Sequence, residues 1–168
     1  FGKIGNMKIL ITGATGLVGS ELVAQLRQHN HSIHYLTTSR GALSTDPDYT
    51  GFYWNPEKGE LDVRALNGVE VIIHLAGASI SKRWTRKYKQ EIIESRVLSA
   101  NLLFSTLRHH PHQVRQLISA SAIGIYADSL TYIYKEESMQ HDPGFLGQVV
   151  ERWEESADKF KMLGIKVC

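Results

Sequence analysis

Cysteine is almost absent from this 168-residue chain: only Cys168 is present. No internal disulfide can form, which excludes a stapled miniprotein and fits a reducing compartment; the expected location is the cytoplasm. Long apolar runs are also missing. No segment approaches the roughly 18 residues that a membrane span needs. Charge of one sign is not in excess, with 19 Lys and Arg against 17 Asp and Glu, so no polyanion partner follows from composition. There is no internal repeat and no low-complexity tract. What is present is a 42% apolar, 21% charged composition, as expected of a globular domain rather than a disordered or collagen-like chain.

Met7 reads as the natural start, with residues 1–6 as a remnant ahead of it and 7–168 as one domain. Lys8 to Thr12 is a β-branched run that flows into Gly13. Leu17, Val18, Leu22, Val23 and Leu26 then recur at helical spacing. Ile33 to Thr37 reads as a second strand, 41–50 as loop, and Phe52 to Trp54 as a short strand. Asp62 caps a brief helix through Leu66, and Val69 to Leu75 is a strand covered on both faces. A long helix is expected over 85–107, then a strand plus turn over 117–125. Residues 127–144 are irregular, and a last helix over 145–162 ends at Gly164. Strands alternating with helices predict an α/β fold: a Rossmann-type, doubly wound parallel sheet with helices on both faces. Ile165 to Cys168 reads as the start of a further strand, so the expectation is a fragment that stops before a smaller C-terminal substrate domain.

Thr12-Gly13-Ala14-Thr15-Gly16-Leu17-Val18-Gly19 is the sharpest local signal, placed between a strand and a helix. Gly13 permits the tight turn, Gly16 lets backbone N–H groups approach a pyrophosphate, and Gly19 allows close packing. The helix N-terminus then faces the phosphates with unpaired donors and its positive dipole end. Gly13, Thr15, Gly16, Leu17, Val18 and Gly19 are therefore the expected dinucleotide cradle. The second strand ends in Thr37-Thr38-Ser39-Arg40, with no carboxylate for the two ribose hydroxyls of NAD. Arg40 suits a 2′-phosphate and Ser39 adds a hydroxyl, so NADP is expected over NAD.

The chain resembles the short-chain dehydrogenase/reductase superfamily in its extended, nucleotide-sugar-epimerase-like branch. The resemblance rests on the 12–19 loop, His74-Leu75-Ala76-Gly77, and Ser119-Ala120-Ser121-Ala122 followed by Tyr126. More narrowly it is similar to an atypical subgroup labelled epimerase-family or cell-division-inhibitor. That pattern is carried by Leu75-Ala76-Gly77-x-x-Ile80, Arg83-Trp84, Lys87, Ser95-Arg96-Val97, Gly124 and Trp153-Glu154. The resemblance implies NAD(P) binding, with Leu75, Ala76 and Gly77 along the adenosine and ribose side. It implies a serine that polarises a substrate carbonyl and a Tyr-x-x-x-Lys pair that moves the proton. A phenol with a pKa near 10 needs such a neighbouring cation to work near neutral pH.

At the place for that pair the sequence offers Phe145 and Val149 in one register, or Leu146 and Val150 in another. The serine is Ser121, with Ser119 as the other reading. Tyr126 is either the substitute acid or a packed aromatic wall. Arg96, where relatives commonly carry asparagine, either holds an anion near the nicotinamide or pairs with Glu94 or a backbone carbonyl. Ser121, Tyr126 and Arg96 are the candidate catalytic set. His74 is expected as a hydrogen-bonded core histidine. No ligand set for a metal is found among the eight histidines. The basic run 82–89 is expected to flank the cofactor mouth rather than bind nucleic acid. The implied function is an NADP-preferring, epimerase-like oxidoreductase acting on a small, polar, anionic substrate, with homodimers known among extended relatives. The other reading is an NADP-binding regulator or scaffold without turnover.

Overall fold

The computed structural model describes residues 5–79, 81–83, 85–135, 138 and 141–168. Residues 1–4 of the expected remnant, and Ile80 and Trp84 of the subgroup pattern, lie outside them. The elements in chain order are β1 (Lys8–Thr12), α1 (Leu17–Gln28), β2 (Ser32–Thr37), β3 (Thr45–Asp46), β4 (Tyr49–Asn55), β5 (Glu60–Leu61), β6 (Val71–His74), α2 (Arg86–His109), β7 (Gln116–Ser119), α3 (Phe145–Asp158) and β8 (Lys166–Val167). The sheet order is β3-β4-β2-β1-β6-β7-β8, with β5 paired to β4. From β4 to β8 every neighbouring pair is parallel; only the short β3 and β5 run antiparallel. The chain thus winds outward from β1 in both directions, as in a doubly wound nucleotide-binding sheet.

Alternation along the strands divides the apolar side chains between two faces. Ile9, Ile11, Ile33, Tyr35, Val71 and Ile73 pack with Val23, Leu22 and Leu26 of α1. Leu10, Leu36, Ile72 and Leu117 face the other way, against Leu103 and Leu107 of α2 and Ala157 and Phe160 at the end of α3. Helices therefore cover both faces, as the pattern predicts. α2 begins where Thr85 caps it, its hydroxyl accepting from Tyr88 N–H at 3.2 Å. Its buried face is Ile92, Ser99, Ala100, Leu103, Thr106 and Leu107. Phe104 meets the edge of Phe160 at 5.7 Å between ring centres.

Two stretches differ from expectation. Residues 41–50, expected as loop, contain a 3₁₀ turn at Arg40–Ala42, β3 and the start of β4. Tyr35 organises them: its hydroxyl donates to the Ala42 carbonyl at 2.6 Å and accepts from Ser44 N–H at 2.8 Å. A β-carbon at residue 51 would stand 2.5 Å from that hydroxyl, so Gly51 makes room for it. The last helix also tightens into a 3₁₀ segment, Lys159–Leu163, before Gly164 closes it at φ +73°.

Leu103 is fully buried between the sheet and α3, whereas Leu130 is fully exposed. Leu103→Ala should destabilise by about 2–5 kcal/mol, and Leu130→Ala by no more than about 0.5 kcal/mol. Urea unfolding of the two variants checks the contrast.

Candidate functional site

The glycine turn is built by contact. Gly13 sits at φ +73°, and a β-carbon there would meet the Leu75 carbonyl carbon at 3.0 Å. Its carbonyl accepts from Gly16 N–H at 3.1 Å, which closes the turn. A β-carbon at residue 19 would lie 2.1 Å from the same carbonyl oxygen. Gly19 thus packs α1 onto the turn itself rather than onto the strand. Gly16 is the N-cap, and no side chain caps the helix there. Leu17 and Val18 occupy the first turn with their side chains largely exposed, at 93% and 66%. The first-turn amides and the positive dipole end therefore lie beside a backbone that carries no side chain to obstruct an anion.

A cleft of about 1330 Å³ opens beyond this turn. Gly13 and Thr15 border it on one side, and Thr37 and Thr38 at the end of β2 on another. Trp54 to Glu57, Ala76 to Ala78, and the α2 face from Arg86 to Ser99 complete it. It lies at the carboxyl ends of the parallel strands, where the strand order reverses about β1. A glycine cradle that β-carbons would fill, a free helix N-terminus and a long cleft fit an extended anionic dinucleotide. Ser39 and Arg40 lie next to the cleft rather than among its lining residues. Ser39 N–H donates to the Thr37 hydroxyl at 3.1 Å. Arg40 stacks over the Tyr53 ring at 3.7 Å. That contact holds an exposed guanidinium at the β2 edge of the cleft.

Beneath the cleft floor, Thr12 and His74 join β1 to β6. The Thr12 hydroxyl lies 2.7 Å from His74 Nδ1 and accepts from the N–H groups of Leu75 and Ala76, both at 3.1 Å. His74 Nε2 lies 3.3 Å from the Ser99 hydroxyl, which donates to the Arg96 carbonyl at 2.9 Å. The core-histidine reading of His74 holds. Thr12 heads the 12–19 motif but carries no role of its own in the sequence reading, and Ser99 and the Trp54 to Glu57 wall were not singled out. Ser99 was visible only as a hydroxyl on the buried helix stripe.

The three candidate catalytic residues are not gathered in the cleft. Arg96 Nη1 donates to the carbonyls of Ala78 at 3.1 Å and Ile92 at 3.0 Å. Its guanidinium lies 4.8 Å from the Trp153 ring centre and would collide with a β-carbon at Gly77. Of its two readings, the structure contains the backbone-carbonyl contacts. Burial pulls the Arg96 pKa down from its ordinary value, with Tyr88 opposing. Ser121, just beyond β7, donates to Glu154 on α3, a partner the sequence reading had not assigned. Tyr126 stacks on Tyr134 at 5.1 Å, and Tyr134 meets the edge of Tyr132 at 4.7 Å. This is the aromatic-wall arrangement. Both candidate places for the lysine, Val149 and Val150, are buried apolar positions on α3.

In the basic run, Arg86 and Lys87 line the cleft, while Lys82 and Lys89 stack on Tyr88 and Phe145. Among the described residues, no three His, Cys, Asp or Glu side chains cluster as a metal site. His29, His109 and His110 instead meet carbonyls four residues back at their helix ends. Among the described residues, no helix is long and apolar enough to cross a membrane.

Burial, and secondarily Arg96, lowers the His74 pKa from 6.5 to about 4. Desolvation pushes His34 in the same direction. Unfolding exposes a group that binds a proton below 6.5, so stability is greatest above that pH and falls as pH drops toward 4. The loss attributable to His74 is up to about 3 kcal/mol. Urea midpoints should fall clearly between about pH 7.5 and pH 5, and His74→Asn should flatten most of the difference. Equal midpoints for the unsubstituted protein would contradict this.

Comparison with known proteins agrees with this geometry. The model of the NAD dependent epimerase/dehydratase family matches residues 9–144. An epimerase family protein of Staphylococcus haemolyticus is 38% identical over 160 residues, which is 95% of this chain and 52% of that protein. The chain thus spans about half the length of the curated relatives it matches. The nucleoside-diphosphate sugar epimerase of Corynebacterium glutamicum superposes with TM-score 0.76 at 30% identity, covering 97% of this chain and 33% of that one. A human epimerase family protein solved with NADPH superposes at 0.70 and 23% identity, covering 90% of this chain and 48% of that one, a likeness of fold. A glycine turn on a doubly wound sheet, matched over most of its length, places this chain in the NAD dependent epimerase/dehydratase family.

Proposed function

We propose that this chain is the cofactor-binding part of an NADP-preferring, epimerase-like oxidoreductase. The observation that carries it is the glycine cradle at the head of the cleft, where residues 13 and 19 have no room for a side chain. The backbone around Gly13, Thr15, Gly16, Leu17, Val18 and Gly19 would hold the pyrophosphate. Leu75, Ala76 and Gly77 would border the adenosine and ribose. Thr38, Ser39 and Arg40 supply hydroxyls and a cation at the end of β2 and no carboxylate, which supports a 2′-phosphate. Solved neighbours of the same fold carry NADPH in one case and NAD in others, so the preference rests on the end of β2 alone.

A nicotinamide held in the cleft would supply a reversible hydride donor and acceptor. The chain's own part is to orient substrate and move a proton. Ser121 is the polarising hydroxyl; in this structure it donates its hydrogen bond to Glu154. Tyr126, stacked on Tyr134, is the phenol assigned to proton transfer in place of a Tyr-x-x-x-Lys pair. Arg83 and Lys87 favour a small, polar, anionic substrate. The protein is expected in the cytoplasm, with a second copy of itself as a candidate partner. A second reading, an NADP-binding regulator without turnover, is favoured by one observation. Val149 and Val150 are packed into the core where a lysine would have to reach the cofactor.

Calorimetry on the full-length protein should show NADPH binding at micromolar affinity or better and NADH at least about tenfold weaker. Arg40→Gln should cost NADPH about tenfold and leave NADH unchanged. Absence of binding by either dinucleotide would remove the proposed function. Equal affinities would remove the preference. Sustained, Ser121-dependent NADPH oxidation with carbonyl or sugar-nucleotide substrates would remove the regulator reading.

A further inference from the structure

We propose that His74 is a positioning residue of the cleft. Through one fixed order of protons it holds the strand that leads into the glycine turn against the 75–77 turn. The inference rests on the reading that the cleft takes a dinucleotide.

The proton order follows from counting donors and acceptors. A hydroxyl has one proton and two lone pairs. The Thr12 oxygen accepts from both Leu75 N–H and Ala76 N–H, which uses both lone pairs. Its one proton is then directed at His74 Nδ1, 2.7 Å away. Nδ1 must be bare, so the neutral ring carries its proton on Nε2. That proton points at the Ser99 oxygen, and the Ser99 proton is spent on the Arg96 carbonyl. Leu75 N–H is shared with the Thr12 carbonyl at 3.2 Å, and the chain of hydroxyl and ring protons runs one way, from the 75–76 amides through Thr12, His74 and Ser99 to the α2 backbone.

The ring is 1% exposed, so no solvent is at hand to repair a mismatch. A proton on Nδ1 would confront the Thr12 hydroxyl with a third donor. The Thr12 hydroxyl would then release Ala76 N–H, or leave Leu75 N–H to the Thr12 carbonyl alone. These residues precede Gly77 and Ala78, which line the cleft and lie over the Arg96 guanidinium. The same turn backs Gly13, whose missing β-carbon leaves room for the Leu75 carbonyl carbon. The tautomer of one buried ring therefore fixes the spacing between the two backbone turns on either side of the cleft head. Arg96 is the charged group acting on the ring, and it opposes protonation.

The test uses the full-length protein with NADPH as probe, and three variants. Thr12→Val keeps the shape and removes the hydroxyl. His74→Asn keeps an acceptor near the Nδ1 position. His74→Gln reaches toward Ser99 and abandons Thr12. Calorimetric affinity should fall about tenfold or more for Thr12→Val and His74→Gln, and stay within about threefold for His74→Asn. Thermal midpoints are recorded for each. In parallel, ¹⁵N-histidine NMR should show one ring with bare Nδ1 and protonated Nε2, unchanged from about pH 5.5 to 8. A ring protonated on Nδ1, or one titrating in that range, overturns the proposal. So does equal weakening by all three variants, or weakening that merely follows the loss in midpoint. Failure of the unsubstituted protein to bind NADPH overturns the dinucleotide reading, and this inference with it. Normal binding with unaffected variants overturns this inference alone.

Discussion

The carbonyl oxygen of Gly13 is the point about which the site is arranged. It receives the Gly16 amide, and it stands where a β-carbon of residue 19 would have to be. Gly19 is thus required by that oxygen atom, while Gly13 is required by its positive φ and by the Leu75 backbone behind it. Because α1 can approach so closely, its first turn ends at the head of the cleft rather than above it. The anion-attracting end of the helix is placed by a steric contact, and the electrostatics follow from that placement.

The opposite side of the cleft is tied to the same strand by polar contacts. Thr12 is the last residue of β1, and its hydroxyl gathers the 75–76 amides and the His74 ring. Ser99 carries the linkage onto α2, which supplies a long wall of the cleft. Arg96, one turn earlier, binds the carbonyl of Ala78 from below. A steric device and a hydrogen-bonded device therefore meet at residues 12 and 13. Both are buried or backbone-borne, so neither depends on exposed charges that salt would screen.

Much of the fold was legible because apolar periodicity and turn residues agree. KILIT before Gly13, the Ile92 to Leu107 stripe and Gly164 each gave an element that is observed. Residues 41–50 were not legible, because their structure depends on the Tyr35 hydroxyl reaching Ala42 and Ser44 from a neighbouring strand. The contacts of Thr12 and Ser99 with His74 were missed for the same kind of reason. Each is an ordinary polar residue until pairing across 62 and 25 positions brings it to His74. The glycine cradle was readable because its chemistry is local. Ser121 meets Glu154, 33 positions on, through a contact between distant segments that spacing does not show, whereas the aromatic packing of Tyr126 and the backbone carbonyls on Arg96 were among the readings their positions allowed. The substrate lies further from what these residues can say, since relatives are about twice as long as this chain.

A crystal structure of the full-length protein grown with NADPH tests the cleft assignment most directly. The expected result is a pyrophosphate on the amides of residues 16–18, the 2′-phosphate against Arg40, and the ribose along Ala76 and Gly77. A dinucleotide bound elsewhere, or one whose 2′-phosphate points away from Arg40 into solvent, would contradict it.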